Sequence, residues 1–288
     1  MADTNPLPRK PYSSDLTAEQ WEILRPLVPP NTGRGRRQSH SLKDIIDAIF
    51  YINANSCKWA DLPHDFPPYT SVSHHYTKWM RDGTWRRVND ALREAVRLRA
   101  GRDAHPSAAA VDSQTVKAAP TGGHRGYDGA KKINGRKRHT LVDTLGLLIV
   151  VLVTAASVSD AAGAVGLLGQ VSRFDQPRLA TIYADGAYHR SVLYDYVART
   201  KWYKVCVVSR PAGAVGFVPI RKRWVVERTF GWLAHHRRHA RDYERTYVSS
   251  EAQVYISHVR LMLRRLAKSA RGDDSGPATN AVIYRQTA

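Results

Sequence analysis

A carboxylate set inside an apolar run constrains this chain more than any other feature. Residues 108–119 read AAAVDSQTVKAA. Small and β-branched residues spell a buried strand there, and Asp112 interrupts it. A lone buried carboxylate costs several kcal/mol or shifts its pKa and neutralises. Asp112 therefore needs a compensating partner, unless it sits at a strand edge or a turn.

The elements around it predict where that partner comes from. Residues 1–12 are Pro-rich and expected to be disordered. SDLTAEQWEILRPLVPP predicts a helix capped by Thr17, with Gln20 at the capping-box position. LKDIIDAIFYINAN, SVSHHYTKWMRDG and TWRRVNDALREAVRLRA predict three more, so residues 13–103 read as a small helical domain. From 104 the pattern changes to AAAVDSQTV, KRHTLVDTLG and LLIVVLVTAA, all strand-like. The helix SDAAGAVGLLGQV, the strand RLATIYADG, the helix SVLYDYVART, the strand KVCVVSR and a long basic helix from about Arg223 follow. Three consecutive strands suggest an antiparallel meander, and the later alternation suggests parallel additions. That order matches an α/β ribonuclease H-like domain over 104–268, with a mixed five-stranded sheet and helices. Residues 269–288 read as a flexible tail.

In such a fold the first and fourth strands are neighbours at the sheet centre, and the last helix crosses them. Asp185 follows directly on the fourth strand in TIYADGAYH. Glu227 lies on the last helix among many cations. Three convergent acids without a thiolate make a hard oxygen-ligand site suited to Mg²⁺ or Mn²⁺. Two such ions are a standard device for in-line phosphoryl transfer. The plainer roles are an Asx turn for Asp185 and an intrahelical pair with Arg223 for Glu227. Asp143, Asp160 and Asp195 stay open as alternative acids.

Charge names the class of partner. The chain of 288 residues carries a formal net charge of +19, beyond what solubility requires, which predicts a polyanion. The most apolar run, LGLLIVVLVTAA, is too short and too β-branched to span a membrane, and MADTNPLPRKPYSSD has no apolar core of a signal peptide. That leaves nucleic acid as the expected partner. Cys57 and Cys206 show no metal-ligand spacing, and a reducing cytoplasm fits them.

Several blocks carry a resemblance to a known family. CKWADLPHDFPPYTSVSHHYTKWMRDGTW, VDSQTVKA, GAKKINGRKRHTLVDTLGLL, YADGAY and RWVVERTFGWL occur in the order found in bacterial IS4/IS5-group DDE transposases. The chain most resembles the IS5 family, from about Tyr12 to Lys268. The resemblance implies that Asp112, Asp185 and Glu227 are the catalytic, metal-binding triad of a DNA transposase. Such an enzyme would bind the terminal inverted repeats of its insertion sequence in double-stranded DNA, near the bacterial nucleoid. It would cleave and transfer strands with Mg²⁺ or Mn²⁺, as a homodimer or larger synaptic assembly. Arg223 and Glu227 match the spacing of the group's tyrosine–arginine–glutamate–lysine signature. Ile220 and Ala234 depart from its tyrosine and lysine positions.

Basic segments fill in the expected DNA contacts. Lys131, Lys132, Arg136, Lys137 and Arg138 cluster before the second strand, either as a solvated hairpin or as phosphate contacts beside the site. Arg223, Arg237 and Arg238 are expected to line a DNA channel. SVSHHYTKWMRDG reads either as a recognition helix with His74 and Lys78 facing a groove, or as a plain helix whose Tyr76 and Trp79 anchor a small core. His235, His236 and His239 have no second ligand cluster and are expected to be solvated.

Overall fold

The computed structural model describes residues 9–30, 40–120, 123–208 and 224–270. Helix α1 (Ala18–Leu24) opens on the expected capping box, with the Thr17 side chain on the Gln20 N–H and the Gln20 side chain on the Thr17 N–H. Helices α2 (Leu42–Asn55), α3 (Tyr69–Arg81) and α4 (Thr84–Arg99) follow. Their apolar faces supply Ile46, Val72, Trp79 and Leu92 to a core. The basic, Gly-containing stretch NTGRGRRQSHS between α1 and α2 falls largely on residues 31–39, outside the described residues.

The sheet is built from β1 (Ala108–Lys117), β2 (Gly126–Asp128), β3 (Ile133–Asp143), β4 (Leu148–Ala155), β5 (Thr181–Ala184) and β6 (Lys204–Val207). Strand β3 pairs antiparallel with both β1 and β4, and β1 pairs parallel with β5, which pairs parallel with β6. The resulting path β4–β3–β1–β5–β6 is the mixed sheet of a ribonuclease H-like domain. Among the described residues it has a sixth strand beyond the expected five. Asp128 accepts hydrogen bonds from the Ala130 and Lys131 backbone N–H groups, which turns the chain so that β2 pairs with the start of β3.

Helices cover both faces. Helices α5 (Asp160–Gly169) and α6 (Ser191–Thr200) pack on one, against Val111, Leu141 and Ile182. The other face, with Ala110, Val142 and Val151, shares a continuous core with α1–α4 and with two later helices, α7 (Trp224–Ala234) and α8 (Tyr247–Ala270). The expected boundary between 103 and 104 thus separates α4 from β1 in sequence, while the core runs across it. A buried ion pair of 2.7 Å, Arg97 to Asp143, ties α4 to the end of β3.

The last part of the chain corrects the expected single basic helix. Helix α7 stops at Ala234, a short 3₁₀ turn spans Arg237–His239, and α8 then runs for 24 residues. Helix α8 packs on α4 and β4 and buries Val254, Val259, Met262 and Leu266.

Candidate active site

The register of β1 and β5 sets the two aspartates level. Ala110 pairs with Tyr183 in the parallel ladder, and Asp112 and Asp185 each follow two residues later. Adjacent strands run about 4.8 Å apart. Side chains alternate along a strand, so the faces follow from the packing. Val111 and Ala184 belong to the core under α5 and α6, whereas Ala110 belongs to the core on the opposite face. Asp112 therefore shares the face of Ala110, and Asp185, next after Ala184, continues on that same face. Both are half-buried. Asp112 accepts from the Ser113 N–H at 2.7 Å, and Asp185 caps the following 3₁₀ turn by accepting from the Ala187 N–H at 2.9 Å.

Helix α7 lies across β1 and β3 and carries the half-buried Glu227. Its position is fixed by the β3–β4 turn. Thr229 donates its hydroxyl to the Gly146 carbonyl at 2.8 Å, and Arg228 donates to the Leu145 carbonyl at 3.0 Å. Gly146 has φ of +79°, and an added Cβ would lie 2.9 Å from the Trp232 ring. Only glycine lets the turn approach the helix this closely. Arg228 also sits over the rings of Trp224 and Trp232, at 5.1 and 4.8 Å from their centroids. The turn itself is held by Asp143, whose carboxylate accepts from the Leu145 and Leu147 N–H groups and pairs with Arg97.

A polar network lies under β1 on the other face. Ser113 donates to Asp160 at 2.6 Å, and Lys137 reaches Asp160 at 3.1 Å and Asp128 at 3.7 Å. Burial opposes ionisation of Asp160, but the Ser113 and Lys137 hydrogen bonds and the Lys137 charge hold it below the usual carboxylate range. Tyr188 is buried, with its hydroxyl near Ser113. Burial, followed by the negative charges of Asp112, Asp160 and Asp185, keeps this phenol well above its ordinary pKa. A field from all three carboxylates thus reaches one side chain.

The alternative acids are otherwise occupied. Asp143 is a turn anchor, Asp160 belongs to the lower network, and Asp195 is exposed on α6. The donor set at Asp112, Asp185 and Glu227 is carboxylate oxygen, the chemistry Mg²⁺ and Mn²⁺ prefer. Among the described residues no group of three His, Cys, Asp or Glu side chains is gathered tightly enough to hold a metal. Mg²⁺ commonly takes one or two carboxylates and completes its octahedron with water and substrate phosphate, and a pair of level aspartates fits that pattern.

The basic residues divide into two groups. Lys131 and Lys132 are exposed on the β2–β3 turn, Arg237 is exposed beyond α7, and His74 and Lys78 are exposed on α3 while Val72, Tyr76 and Trp79 face inward. Arg136, Lys137, Arg138 and Arg238 are instead buried. Arg136 pairs with Asp242 at 3.0 Å and Arg238 with Glu244 at 2.7 Å. Arg138 donates to the His239 carbonyl. Burial sets these four apart from the exposed cations, and Arg136, Lys137 and Arg238 use their charge on carboxylates inside the fold. Arg223 lies outside the described residues.

The histidine expectation is also corrected. His236 and His239 are buried, because the chain turns inward after Ala234 and packs against α8. His239 Nε2 lies 2.7 Å from the Ser257 hydroxyl. Sequence reasoning passed over Thr229, Gly146 and Arg228, which hold α7 in place. The GLL stretch between two strands was the available signal of a tight turn.

Two family models match the chain. The family model for the transposase DDE domain matches residues 103–263. A second, described as "Putative transposase of IS4/5 family", matches residues 16–89. The mixed sheet is of the ribonuclease H-like kind, and the family model matched over it is that of a DDE domain. The chain belongs to the DDE transposases, within the IS4/IS5 group. It is 30% identical over 122 residues to the uncharacterized protein y4sN of Sinorhizobium fredii, covering 42% of this chain and 86% of that protein. A structural comparison pairs it with the Mos1 mariner paired end complex with Mn, at 10% identity and a TM-score of 0.28, over 84% of this chain and 81% of that one.

Proposed function

We propose that this transposase binds the terminal inverted repeats of its insertion sequence, cuts a DNA strand at each end and joins the freed ends to target DNA. The level placement of Asp112 and Asp185 on one face, beneath the helix that carries Glu227, is the observation that supports this reading most. In the first step a water oxygen bonds to the scissile phosphorus, the bond to the 3′ oxygen breaks, and that oxygen takes up a proton. In the second step the new 3′-hydroxyl oxygen bonds to a target phosphorus in line, the target's own 3′ oxygen leaves, and that oxygen takes up the proton the attacking hydroxyl gives up, with no covalent protein–DNA intermediate. Asp112, Asp185 and Glu227 would hold two Mg²⁺ or Mn²⁺ ions. Bound ions would supply activation of the attacking oxygen and neutralisation of charge on the leaving one.

The chain's own residues do the rest. Thr229 and Arg228 hold α7, and with it Glu227, against the β3–β4 turn. Lys131, Lys132 and Arg237 contact backbone phosphates from outside the site, and Arg223 orients the third acid or a scissile phosphate. His74 and Lys78 read or grip the inverted repeat from α3. Two element ends must be held together, which calls for a homodimer or larger assembly on double-stranded DNA in the bacterial cytoplasm.

The test is an assay with a precut element end, plasmid target and Mg²⁺. Joined products support the proposal. Cutting of intact ends without joining would make this a nuclease of the same fold. Binding to the ends with neither reaction would make it a DNA-binding regulator.

A further inference from the structure

A second site lies where α7 ends against α8. A cavity of about 80 Å³ there is lined by Trp232, His235, His236, His258, Leu261 and Arg264. Its inner wall holds an unusual group. His258 is only 1% exposed, and neither of its ring nitrogens has a hydrogen-bond partner. A neutral imidazole always carries one N–H donor, and leaving it unpaired in an apolar interior costs about 1–3 kcal/mol.

The surrounding charge is mainly positive, with Asp15 acting on Arg260 and Asp143 on Arg265 as the opposing carboxylates. His236 accepts a hydrogen bond at its Nδ1 from Arg260, 3.1 Å away, so its Nε2 carries the proton. Arg264 and His235 stand exposed at the mouth, and Arg265 lies over the Trp232 ring at 4.5 Å. Among the described residues no ion pair joins Arg260, Arg264 or Arg265 to a carboxylate. Burial, then Arg260, Arg264 and the neighbouring histidines, push His236 down to about 3. Burial, then Arg265, does the same to His258. Both imidazoles thus stay neutral donors in a field that favours an anion.

We infer that this cavity is a phosphate-binding site, in which Arg264 and His235 meet the anion at the mouth and the His258 ring donates to it from within. Trp232 stands five residues after Glu227 on α7, about 7.5 Å along the helix. A DNA strand running past the candidate active site along α7 therefore passes this mouth. The ligand class is a phosphate group, and its expected source is a backbone phosphodiester near the reacting end. This source rests on the function proposed above, whereas the anion site itself does not.

Inorganic phosphate titrated at constant ionic strength, with chloride as the balancing ion, tests it on the full chain. The histidine ring ¹⁵N resonances of His258 should shift saturably. Arg264→Ala, a change at an exposed position whose folding a thermal melt checks, should weaken phosphate binding about tenfold or more, and Arg264→Lys should restore part of it. A short single-stranded oligonucleotide should displace the phosphate. If it does not while phosphate still binds, the site takes a free anion and the DNA assignment fails. Unchanged His258 resonances, or equal shifts with chloride, would overturn the site, whatever the outcome of the strand-transfer assay.

Discussion

The Thr229 hydroxyl donates to the Gly146 carbonyl at 2.8 Å and also lies 3.1 Å from the Val225 carbonyl, so one side chain joins α7 to the β3–β4 turn. Thr229 is fully buried. Thr229→Val keeps the shape and removes the donor, leaving the Gly146 carbonyl without this partner. The expected loss is about 1–2 kcal/mol in stability. If the clamp also sets Glu227, cleavage should fall well below what the loss of folded protein explains. Denaturant melts and cleavage rates on the same preparation check this. A variant with wild-type cleavage per folded molecule would mean that Thr229 contributes packing only.

Gly146→Ala tests the same clamp from the turn side. A Cβ at a φ of +79° is strained, and it would meet Trp232 at 2.9 Å and the Thr229 hydroxyl at 3.0 Å. A cost of about 1–3 kcal/mol for the backbone alone follows, with the ring clash added to it. Thermal denaturation measures the sum, and a neutral result would show that the turn is free to shift away from α7.

The buried and exposed cations should separate cleanly. Arg136→Ala leaves Asp242 as a buried carboxylate without its guanidinium and should cost about 3–5 kcal/mol. Lys131→Ala with Lys132→Ala should leave stability within about 0.5 kcal/mol. That double variant should bind DNA more weakly, and the salt slope of its log affinity should be shallower by roughly one for each phosphate the missing lysines would have neutralised. Salt-dependent binding curves and melts decide it. A double variant with an unchanged slope would remove the β2–β3 turn from the interface.

Glu251 predicts a pH dependence with a definite sign. Its carboxylate accepts from the Val153 N–H at 2.8 Å, yet burial pushes its pKa from the ordinary 4.5 up to about 7. The folded state then holds a proton that the unfolded state has released, so stability falls as pH rises from about 4.5 to 7 and levels off above. Glu251→Gln keeps the acceptor and removes the titration. The variant should match wild type at low pH and exceed it by on the order of 2–3 kcal/mol above the window. His236 and His258 work in the opposite direction, because both are pushed down to about 3 and stay neutral when folded. Their contribution is complete above about 6.5 and is lost as pH falls toward 3. Comparing melts of Glu251→Gln and wild type across this range isolates the glutamate. A difference independent of pH would contradict its placement.

Much of the fold was legible because period and order agree. The helical stripe of residues 42–55, the capping box at Thr17 and Gln20, and the strand runs around Asp112 and Tyr183 each state one structure locally. Order alone then gave the sheet path. Helix α8 was harder to see. Its polar stretch SSEAQ follows directly on the arginine-rich segment, and the break after Ala234 carries no proline or glycine to mark it. The buried state of Arg136, Arg138 and Arg238 was also hidden. Asp242, which pairs with Arg136, lies far from β3 in sequence, and charge counting treats a paired arginine such as Arg238 beside Glu244 like a free one. The candidate acids were legible as residues. Their common face follows from strand register, which needs coordinates.

The central claim is that Asp112, Asp185 and Glu227 act as one metal-dependent site. Single-strand cleavage at the element's own ends, measured with and without Mg²⁺ for wild type and for Asp112→Ala, Asp185→Ala and Glu227→Ala, tests it most directly. The account predicts Mg²⁺-dependent cleavage by wild type, and loss of about a thousandfold or more in each variant with end binding retained. Cleavage near the wild-type rate in any one of the three would contradict it.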